Sequence, residues 1–263
     1  MKLTKKNILI TGAGSGIGRE LVLVLLKKNS KVVAVDLRQE SLSELKKEVG
    51  ENENLTTRAL DVSDKVAVER LATEVEEVDI IINNAGIIQP FKKVNDLEYV
   101  DIEKVMKVNF WGTLYMTKAF LPDLLKRPEA YIANVSSMGG FLPVPGQSVY
   151  GASKAAVKLF TEGLYAELID TNVGVSIIFP GATATNITKN SGVEAPKVSD
   201  EQMKKFKALP ADEAARLIIE GIENNKPQIF LGSDCKSMNI FYRLSPLRAI
   251  KLISNQMKSL LAK

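Results

Sequence analysis

The chain has 263 residues, of which 45% are hydrophobic and 25% are charged, an ordinary composition for one α/β domain. It contains one cysteine, Cys235, and no histidine, which excludes an internal disulfide, a histidine-dependent nucleophile and a zinc site built from His or Cys ligands. The net charge is +4, yet six cations and no acids follow Asp234, so a basic tail is attached to a mildly acidic body and we expect no nucleic-acid partner.

Apolar, β-rich runs alternate along the chain with longer amphipathic stretches. The predicted strands are 7–11, 31–36, 55–61, 79–83, 130–136, 174–179 and 228–232. The predicted helices are 17–29, 38–49, 64–77, 97–126, 147–169 and 210–224. Every connection is long enough for a parallel crossover, which predicts a single-domain, doubly wound α/β fold with a seven-stranded parallel sheet and helices on both faces.

The boundaries follow from the same pattern. We expect one domain over residues 1–234, followed by a basic amphipathic C-terminal extension over residues 235–263. The connection 184–209 is unusually long for a compact domain, and we expect it to form a lid over the substrate.

A glycine-rich turn follows the first predicted strand, in the sequence ILITGAGSGIG. Gly12, Gly16 and Gly18 would allow a tight turn and bring backbone N–H groups close to a pyrophosphate at the positive end of the first helix. Their spacing is G-x3-G-x-G, and such a turn can also be a plain strand–helix connector. Its position at the start of a βαβ unit favours dinucleotide binding.

Asp36 ends the second predicted strand, about 20 residues after the glycine turn, where a carboxylate can accept hydrogen bonds from the adenosine ribose. The same carboxylate would repel the 2′-phosphate of NADP, so the sequence favours NAD. Arg38 keeps NADP open, since a guanidinium can bind a phosphate. The alternative for Arg38 is a solvated residue at the start of a helix.

Because the chain lacks histidine, proton transfer must come from a carboxylate, a lysine, a tyrosine or a cofactor. Tyr150 and Lys154 share one face of a predicted helix, and a nearby ammonium favours phenolate, which would lower the pKa of Tyr150 from its usual value of about 10. Ser137, at the end of a predicted strand, could share the substrate oxygen. Taken alone, a Tyr-x3-Lys pair is common on helix surfaces.

The motifs occur together and in order. The set is TGAGSGIG, Asp61, NNAG at 83–86, Asn109, Ser137, Tyr150, Lys154 and PGATAT at 180–185. In this combination the chain resembles the short-chain dehydrogenase/reductase family over about residues 5–235. The resemblance implies a Rossmann fold and an NAD(P)-dependent alcohol dehydrogenase or ketone reductase that needs no metal.

The resemblance also implies a role for each site residue. Tyr150 would exchange the proton of the substrate oxygen, Lys154 would bind the nicotinamide ribose and lower the pKa of Tyr150, and Ser137 would orient the carbonyl. Asn109 would hold a water that relays protons through Lys154. The implied cofactor contacts are Gly12, Ser15, Gly16, Ile17, Gly18, Asp36, Asp61, Val62, Asn83, Ala85, Gly86, Tyr150, Lys154, Pro180, Gly181 and Thr183.

The substrate is expected to be hydrophobic. By analogy with the family, its pocket wall would comprise the lid together with Met138, Phe141, Leu142, Val144 and Gln147. Such a wall would suit a hydroxysteroid-like or acyl-chain ketone, although the same residues could instead fill the core. A catalytically silent dinucleotide-binding sensor or scaffold on the same fold is the alternative function.

Beyond the last predicted strand, apolar residues of 238–261 recur at helical spacing with cations on other faces. Pro246 is expected to divide this segment into two helices. One interpretation is a basic amphipathic helix on an anionic membrane, which would make the protein a membrane-surface lipid reductase. The other, which we favour, is a helix packed on the body or on another subunit, since an apolar stripe usually marks a docked helix.

Location and assembly follow from composition and resemblance. A single cysteine, the lack of a secretory signal and the lack of a membrane-spanning run predict a soluble, cytoplasmic protein. The resemblance implies a homodimer or homotetramer, with the helices near 97–126 and 147–169 at the interfaces.

Overall fold

A seven-stranded parallel sheet forms the centre of the protein, whose computed structural model describes residues 1–194 and 208–257. The strand order is β3-β2-β1-β4-β5-β6-β7, so the order reverses between β1 and β4. In register, Ile10 of β1 is level with Ala34 of β2 and Ile82 of β4. The strands are β1 Asn7–Thr11, β2 Lys31–Asp36, β3 Leu55–Ala59, β4 Ile80–Asn83, β5 Ala130–Val135, β6 Val173–Pro180 and β7 Gln228–Leu231.

Helices cover both faces of the sheet, as the sequence predicts. They are α1 Gly16–Lys27, α2 Gln39–Val49, α3 Lys65–Glu74, α4 Tyr99–Met106, α5 Gly112–Leu124, α6 Ser148–Leu168, α7 Ile187–Asn190, α8 Ala211–Glu223, α9 Ser233–Leu244 and α10 Pro246–Gln256. Helices α1, α2 and α8 contribute to the core on one face, and α3, α5 and α6 contribute to the core on the other.

The central strands are apolar along their whole length because both of their faces are covered. In β4, Ile80 and Ile82 join the core under α1 and α8, whereas Ile81 between them points to the core under α5 and α6. All three side chains are fully buried. This two-sided burial explains why continuous apolar runs, rather than alternating ones, mark the strands in the sequence.

One predicted helix is interrupted. The continuous helix expected over 97–126 is divided into α4 and α5 by a π-helical turn at Lys107–Trp111. Such turns are rare and often lie at functional sites. This one carries Asn109, whose side chain is completely buried.

The tail beyond β7 forms α9 and α10, and Pro246 occupies the first position of α10, which confirms the predicted break. Cys235, Ala249 and Ile253 are buried, and the last two pack with Leu142 in a small core cluster. The predicted packing of the tail on the body is therefore confirmed for one side of these helices.

Two of the expected segments are only partly described. The expected lid 184–209 is described at its two ends, and residues 195–207 lie outside the described residues, as do residues 258–263 of the tail. In the parts that are described, no helix has the length and apolar character needed to cross a bilayer.

Candidate active site

A cavity of about 620 Å³ opens at the carboxyl ends of the strands, where the order reverses between β1 and β4. This is the usual position for a ligand site in a doubly wound sheet. The expected site residues that line it are Gly12, Ser15, Gly16, Ile17, Asp36, Asp61, Val62, Ala85, Gly86, Ser137, Tyr150, Lys154, Pro180, Gly181 and Thr183. The expected site residues that do not line it are Gly18, Asn83 and Asn109.

At two positions of the glycine turn, Gly12 and Gly18, the neighbouring backbone is too close for any side chain to fit. Gly12 has a φ of 65°, and a Cβ there would lie 2.9 Å from the Cα of Ala85. A Cβ on Gly18 would lie 2.1 Å from the carbonyl oxygen of Gly12. Ser15, at the N-terminus of α1, makes no side-chain cap. A bare backbone cradle at the positive end of α1 fits the pyrophosphate of a dinucleotide.

The segment after β4 holds the glycine turn in place. Nδ2 of Asn84 donates to the carbonyl oxygens of Thr11 and Gly12 at 3.0 and 3.2 Å. Oγ1 of Thr11 accepts from the backbone N–H groups of Asn84 and Ala85, both at 3.0 Å. The NNAG motif therefore fixes the glycine turn through its second asparagine, Asn84, which we did not include among the expected cofactor contacts.

Asn83, the first asparagine of the motif, points away from the cavity. Its Nδ2 donates to Oδ1 of Asn134 at 2.8 Å and to Oγ1 of Thr117 at 3.2 Å, and its side chain is buried. The side chain thus ties β4 to β5 and α5. An expected contact of Asn83 with the cofactor would have to come from its backbone.

Asp36 is held rigidly at the edge of the cavity. Its Oδ2 accepts from the backbone N–H of Gly14 at 2.9 Å, and its Oδ1 accepts from the backbone N–H of Arg38 at 3.0 Å. The carboxylate is therefore part of the glycine turn as well as a lining group. Arg38 also lines the cavity, so a negative and a positive side chain both face the expected position of the adenosine ribose.

Tyr150 and Lys154 lie in the first turns of α6, and both reach the cavity. Nζ of Lys154 donates to the carbonyl oxygen of Val135 at 2.9 Å, and burial lowers the pKa of Lys154 to about 8. Burial raises the pKa of Tyr150 above its usual value, and a hydrogen bond with Ser137 acts in the opposite direction. Lys154 is not among the causes of the shift, so the lowering of the Tyr150 pKa that we expected from it is not found in this arrangement.

Ser137 follows β5, and its Oγ accepts from the backbone N–H of Gly139 at 3.0 Å. An ideal Cβ on Gly139 would be 3.4 Å from both Oγ of Ser137 and Cε1 of Tyr150. The serine hydroxyl and the tyrosine ring therefore both lie within van der Waals reach of Gly139 in the short turn after β5.

Asn109 is buried beside the cavity and connects two segments by hydrogen bonds. Its Oδ1 accepts from the backbone N–H of Ile87 at 2.8 Å, and its Nδ2 donates to the carbonyl of Ile87 and to Oγ of Ser153, both at 2.9 Å. Its carboxamide oxygen lies 3.3 Å from a Cβ built on Gly86, and Nζ of Lys154 lies 3.0 Å from the same point. The side chain thus joins the segment after β4 to α6; its expected role in holding a water stays a prediction.

Gln89 is a residue that the motifs did not indicate. Its Oε1 accepts from the backbone N–H groups of Val149 and Tyr150 at 2.8 and 2.9 Å, and its Nε2 donates to the carbonyl of Gly146 at 2.9 Å. Nε2 of Gln147 donates to the carbonyl of Gln89 at 2.9 Å. Gln89 is fully buried and satisfies donors at the N-terminus of α6 that no local side chain caps.

The expected substrate wall is largely core. Leu142 is fully buried against α10, Phe141 and Met138 pack in the same cluster, and Gln147 is engaged with Gln89. None of these residues lines the cavity, and neither does Val144. The alternative of core filling is correct for Leu142, Phe141 and Met138, whereas Val144 is half-buried. Near the site, the cavity is instead bordered by Ile87 after β4 and by residues of 183–190.

The described end of the expected lid contacts the glycine turn. Nδ2 of Asn190 in α7 donates to Oγ of Ser15 at 2.8 Å, and the backbone N–H of Ile88 donates to Oγ of Ser191 at 3.0 Å. A Cβ on Gly16 would lie 3.2 Å from Thr185. These contacts join the described start of the expected lid to the glycine turn, and no sequence motif indicated those of Asn190 and Ser191.

Comparison with known proteins gives a consistent result. A model described as "short chain dehydrogenase" matches residues 6–195. A putative oxidoreductase, SadH, of Mycobacterium tuberculosis is 34% identical over 252 residues, covering 91% of this chain and 90% of the relative. The NADP-dependent 3-hydroxy acid dehydrogenase YdfG of Escherichia coli is 37% identical over 178 residues, covering 66% of this chain and 71% of the relative.

Two solved structures extend the comparison to bound cofactors. A serine dehydrogenase complexed with NADP⁺ has a TM-score of 0.75 at 30% identity, covering 86% of this chain and 94% of the other. A short-chain dehydrogenase/reductase from Burkholderia phymatum in complex with NAD has a TM-score of 0.79 at 26% identity, covering 100% of this chain and 97% of the other. Similar chains therefore bind either nicotinamide dinucleotide.

Proposed function

The chain belongs to the short-chain dehydrogenase family of nicotinamide-dependent oxidoreductases, and from this premise we propose that it interconverts a ketone and a secondary alcohol with Tyr150 as the acid–base group. The observation that carries the proposal is the convergence of Ser137, Tyr150 and Lys154 in one cavity that continues to the glycine turn. The dinucleotide, when bound, supplies or accepts the hydride.

Tyr150 and Ser137 can both donate a hydrogen bond to the reacting oxygen of the substrate. Burial raises the pKa of Tyr150, which keeps the phenol protonated near neutral pH and able to donate to a carbonyl oxygen. Oγ of Ser137 accepts from Gly139, and its single hydroxyl proton, which is shared with Tyr150, would turn to the carbonyl oxygen of a bound substrate. Two donors at one point would orient the carbonyl and stabilise negative charge that develops on it.

Lys154 would work as a cation beneath the site. With a pKa of about 8, its amine is mainly protonated at neutral pH, and Val135 binds only one of its donors. The remaining N–H groups are free to bind ribose hydroxyls, as the family resemblance implies. Binding there would place the cation against the phenol and favour the phenolate when the alcohol is oxidised.

NAD is the proposed cofactor. The support is the fixed carboxylate of Asp36, whose two oxygens are held by Gly14 and Arg38 and so cannot move away from a 2′-phosphate. Arg38 and the NADP-dependent relative support the alternative, and measurement with both dinucleotides distinguishes them. A hydrophobic substrate stays a prediction, which Ile87 and Ile187 support among the described residues that line the cavity.

The test is turnover of a panel of ketones and secondary alcohols, followed by the absorbance of the reduced nicotinamide with NADH and with NADPH. The Tyr150→Phe variant is the matched control, since it keeps the ring and removes the hydroxyl. Turnover that requires Tyr150 supports the proposal. Tight NADH binding without turnover on any substrate would contradict it and would favour the silent sensor or scaffold.

A homodimer or homotetramer is also proposed. Large apolar side chains on and beside α5 and α6 are exposed in the single chain, as subunit-forming helices require. They are Trp111, Leu125, Leu159, Tyr165 and Ile169. Light scattering on the purified chain measures the assembly directly, and a monomer at micromolar concentration would contradict this part of the proposal. A cytoplasmic location stays a prediction from the lone cysteine.

A further inference from the structure

The two tail helices, α9 and α10, have an inner side and an outer side. The inner side packs on the body through Cys235, Ala249 and Ile253, together with Phe241 and Tyr242. This side accounts for the anchoring of both helices. The residues on the opposite side contribute nothing to that packing, so their composition needs a separate explanation.

The outer side combines large apolar residues with cations. Ile240 is 59% exposed, Leu244 is 81% exposed and Leu247 is 73% exposed. Leu244 and Leu247 flank the junction between the two helices at Ser245 and Pro246. We call this surface the outer tail face, and its members are Lys236, Ile240, Arg243, Leu244, Leu247, Arg248 and Lys251.

The positions agree with helical geometry. In α9, residues 236, 240, 243 and 244 lie at spacings of four, seven and eight, and they share one stripe of the helix. In α10, residues 247 and 251 are one turn apart with 248 beside them. Each stripe is displaced from the buried residues of the same helix, so apolar and cationic side chains project outward together.

The charge of the outer tail face has one sign. Among the described residues, none of its four cations forms an ion pair with a carboxylate. The sequence contains no acid after Asp234, and two more lysines follow in residues 258–263. The carboxylate of Asp234 itself lies at the start of α9, where it accepts from the backbone N–H of Ala182 at 3.3 Å.

The exposed surface of α6 differs from the outer tail face in the signs of its charges. There the exposed Leu159 and Ile169 are interleaved with Lys158, Glu162 and Glu167, a mixture of signs that allows salt bridges across a contact between copies. A two-fold contact between outer tail faces would instead bring the cations of both copies together with no carboxylate of this face to pair with them. A second copy is therefore a poor occupant of the outer tail face.

We propose that the outer tail face docks the protein reversibly on an anionic lipid bilayer, with Leu244 and Leu247 entering the interface and the cations against the headgroups. Exposed leucines surrounded by lysine and arginine, on short helices anchored to a folded body, have the composition of interfacial membrane-binding helices. Their cations would be attracted by the negative surface potential of the bilayer, and this attraction weakens as salt screens it. The inference does not depend on the catalytic assignment.

The experiment is co-sedimentation of the full chain with vesicles of phosphatidylcholine alone and of phosphatidylcholine with about 30% phosphatidylglycerol. We expect sedimentation with the anionic vesicles, little with the neutral ones, and release at about 0.5 M salt. Failure to sediment with the anionic vesicles at low salt would overturn the proposal, whatever the enzyme assays show.

Variants of exposed residues identify the surface. The pair Leu244→Ser with Leu247→Ser, and the pair Arg248→Gln with Lys251→Gln, should each lower the partition coefficient about tenfold or more. The matched controls are Val66→Ser, at a side chain that is 73% exposed in α3, and the pair Lys46→Gln with Lys47→Gln, which remove an exposed apolar residue and two lysines elsewhere and should sediment as the wild type does. Thermal unfolding verifies that each variant is folded.

Two outcomes contradict the assignment. If the control variants lose as much binding as the outer tail face variants, the attraction is a general property of a basic protein. If the leucine variants change the oligomeric state in light scattering and no variant binds vesicles, the outer tail face is a contact between copies.

Discussion

The backbone N–H of Tyr150 donates a 2.9 Å hydrogen bond to Oε1 of Gln89, a residue 61 positions earlier in the chain. The same oxygen accepts from Val149, and the amide nitrogen of Gln89 returns a bond to the carbonyl of Gly146. One buried side chain thus fixes the start of the helix that carries the proposed acid–base group. Its effect on Tyr150 is one of position, since it contacts the backbone and not the phenol.

Gln89→Met should lower both stability and turnover. It keeps the approximate volume but leaves two buried N–H groups without an acceptor, which costs about 1–3 kcal/mol for each unsatisfied group. We expect kcat to fall about tenfold, because small displacements of a catalytic group are costly, while the Kd for NADH changes little. Urea unfolding, steady-state kinetics and cofactor fluorescence measure the three quantities.

Gln89→Glu separates position from stability, since it keeps an oxygen that accepts from both Val149 and Tyr150. It also replaces the donor to Gly146 with a second acceptor and buries a carboxyl group, so its unfolding free energy should fall. It should recover most of the kcat that the methionine variant loses. If both variants retain wild-type kcat and differ only in unfolding free energy, Gln89 has no role in placing Tyr150.

Tyr150→Phe should reduce kcat about 10²–10⁴-fold, the usual contribution of a positioned acid–base group. Binding of NADH should be nearly unchanged, because the phenol hydroxyl is directed at the reacting oxygen and Lys154 supplies the proposed ribose contact. The measurement is single-turnover kinetics with cofactor affinity from fluorescence quenching. A variant that turns over at the wild-type rate would remove Tyr150 from the mechanism.

Asp36→Asn tests the choice between dinucleotides. The asparagine can still accept from Gly14 or Arg38, so the turn is largely preserved while the negative charge is lost. The ratio of kcat/KM for NADPH to that for NADH should rise about tenfold, which corresponds to about 1.4 kcal/mol of relieved repulsion. A fall in kcat/KM for both dinucleotides with an unchanged ratio would mean that Asp36 is only a structural part of the turn.

The sheet was predictable from sequence because burial on two faces leaves a strong local signal, as in the isoleucines of β4. The positions of Ser137, Tyr150 and Lys154 followed from ordered motifs, and they do share one cavity. Gln89 gave no signal, because its role depends on contacts with residues 57 to 61 positions away. A glutamine after an apolar run has no local pattern that distinguishes it from a solvated residue.

The π-helical turn at Lys107–Trp111 was missed for the same reason. A run of residues with helical propensity predicts a continuous helix, whereas the extra residue is accommodated by the bonds of Asn109 to Ile87 and Ser153. The prediction of a substrate wall was wrong for a different reason. Apolar residues such as Leu142 and Phe141 can either line a pocket or fill a core, and only the packing of α10 against them shows that they fill the core.

Gly18→Ala tests the close packing of the glycine turn. The added Cβ would lie 2.1 Å from the backbone oxygen of Gly12, so α1 must shift, and we expect a loss of about 2–4 kcal/mol of unfolding free energy with weaker dinucleotide binding. Gly163→Ala is the matched control within α6, since its Cβ would meet no atom within 4 Å, and it should gain about 0.5–1 kcal/mol. Equal effects of the two substitutions on urea unfolding would contradict this account of Gly18.

The buried Lys154 predicts an unusual pH dependence of stability. Its folded-state pKa of about 8 is below the 10.5 of an unperturbed lysine. Between these two values the unfolded chain binds more protons than the folded one, so stability increases with pH. Below pH 8 both states are protonated, and burying the ammonium costs up to about 3 kcal/mol.

Lys154→Met should therefore have a higher unfolding free energy than the wild type at pH 7. The difference is the cost of burying the ammonium minus the contribution of the hydrogen bond to Val135, which the variant loses. Urea unfolding of both proteins from pH 7 to pH 10 should show this advantage shrinking as the lysine deprotonates in the folded wild type. A difference that stays constant across that range would mean that the amine keeps an ordinary pKa at this position.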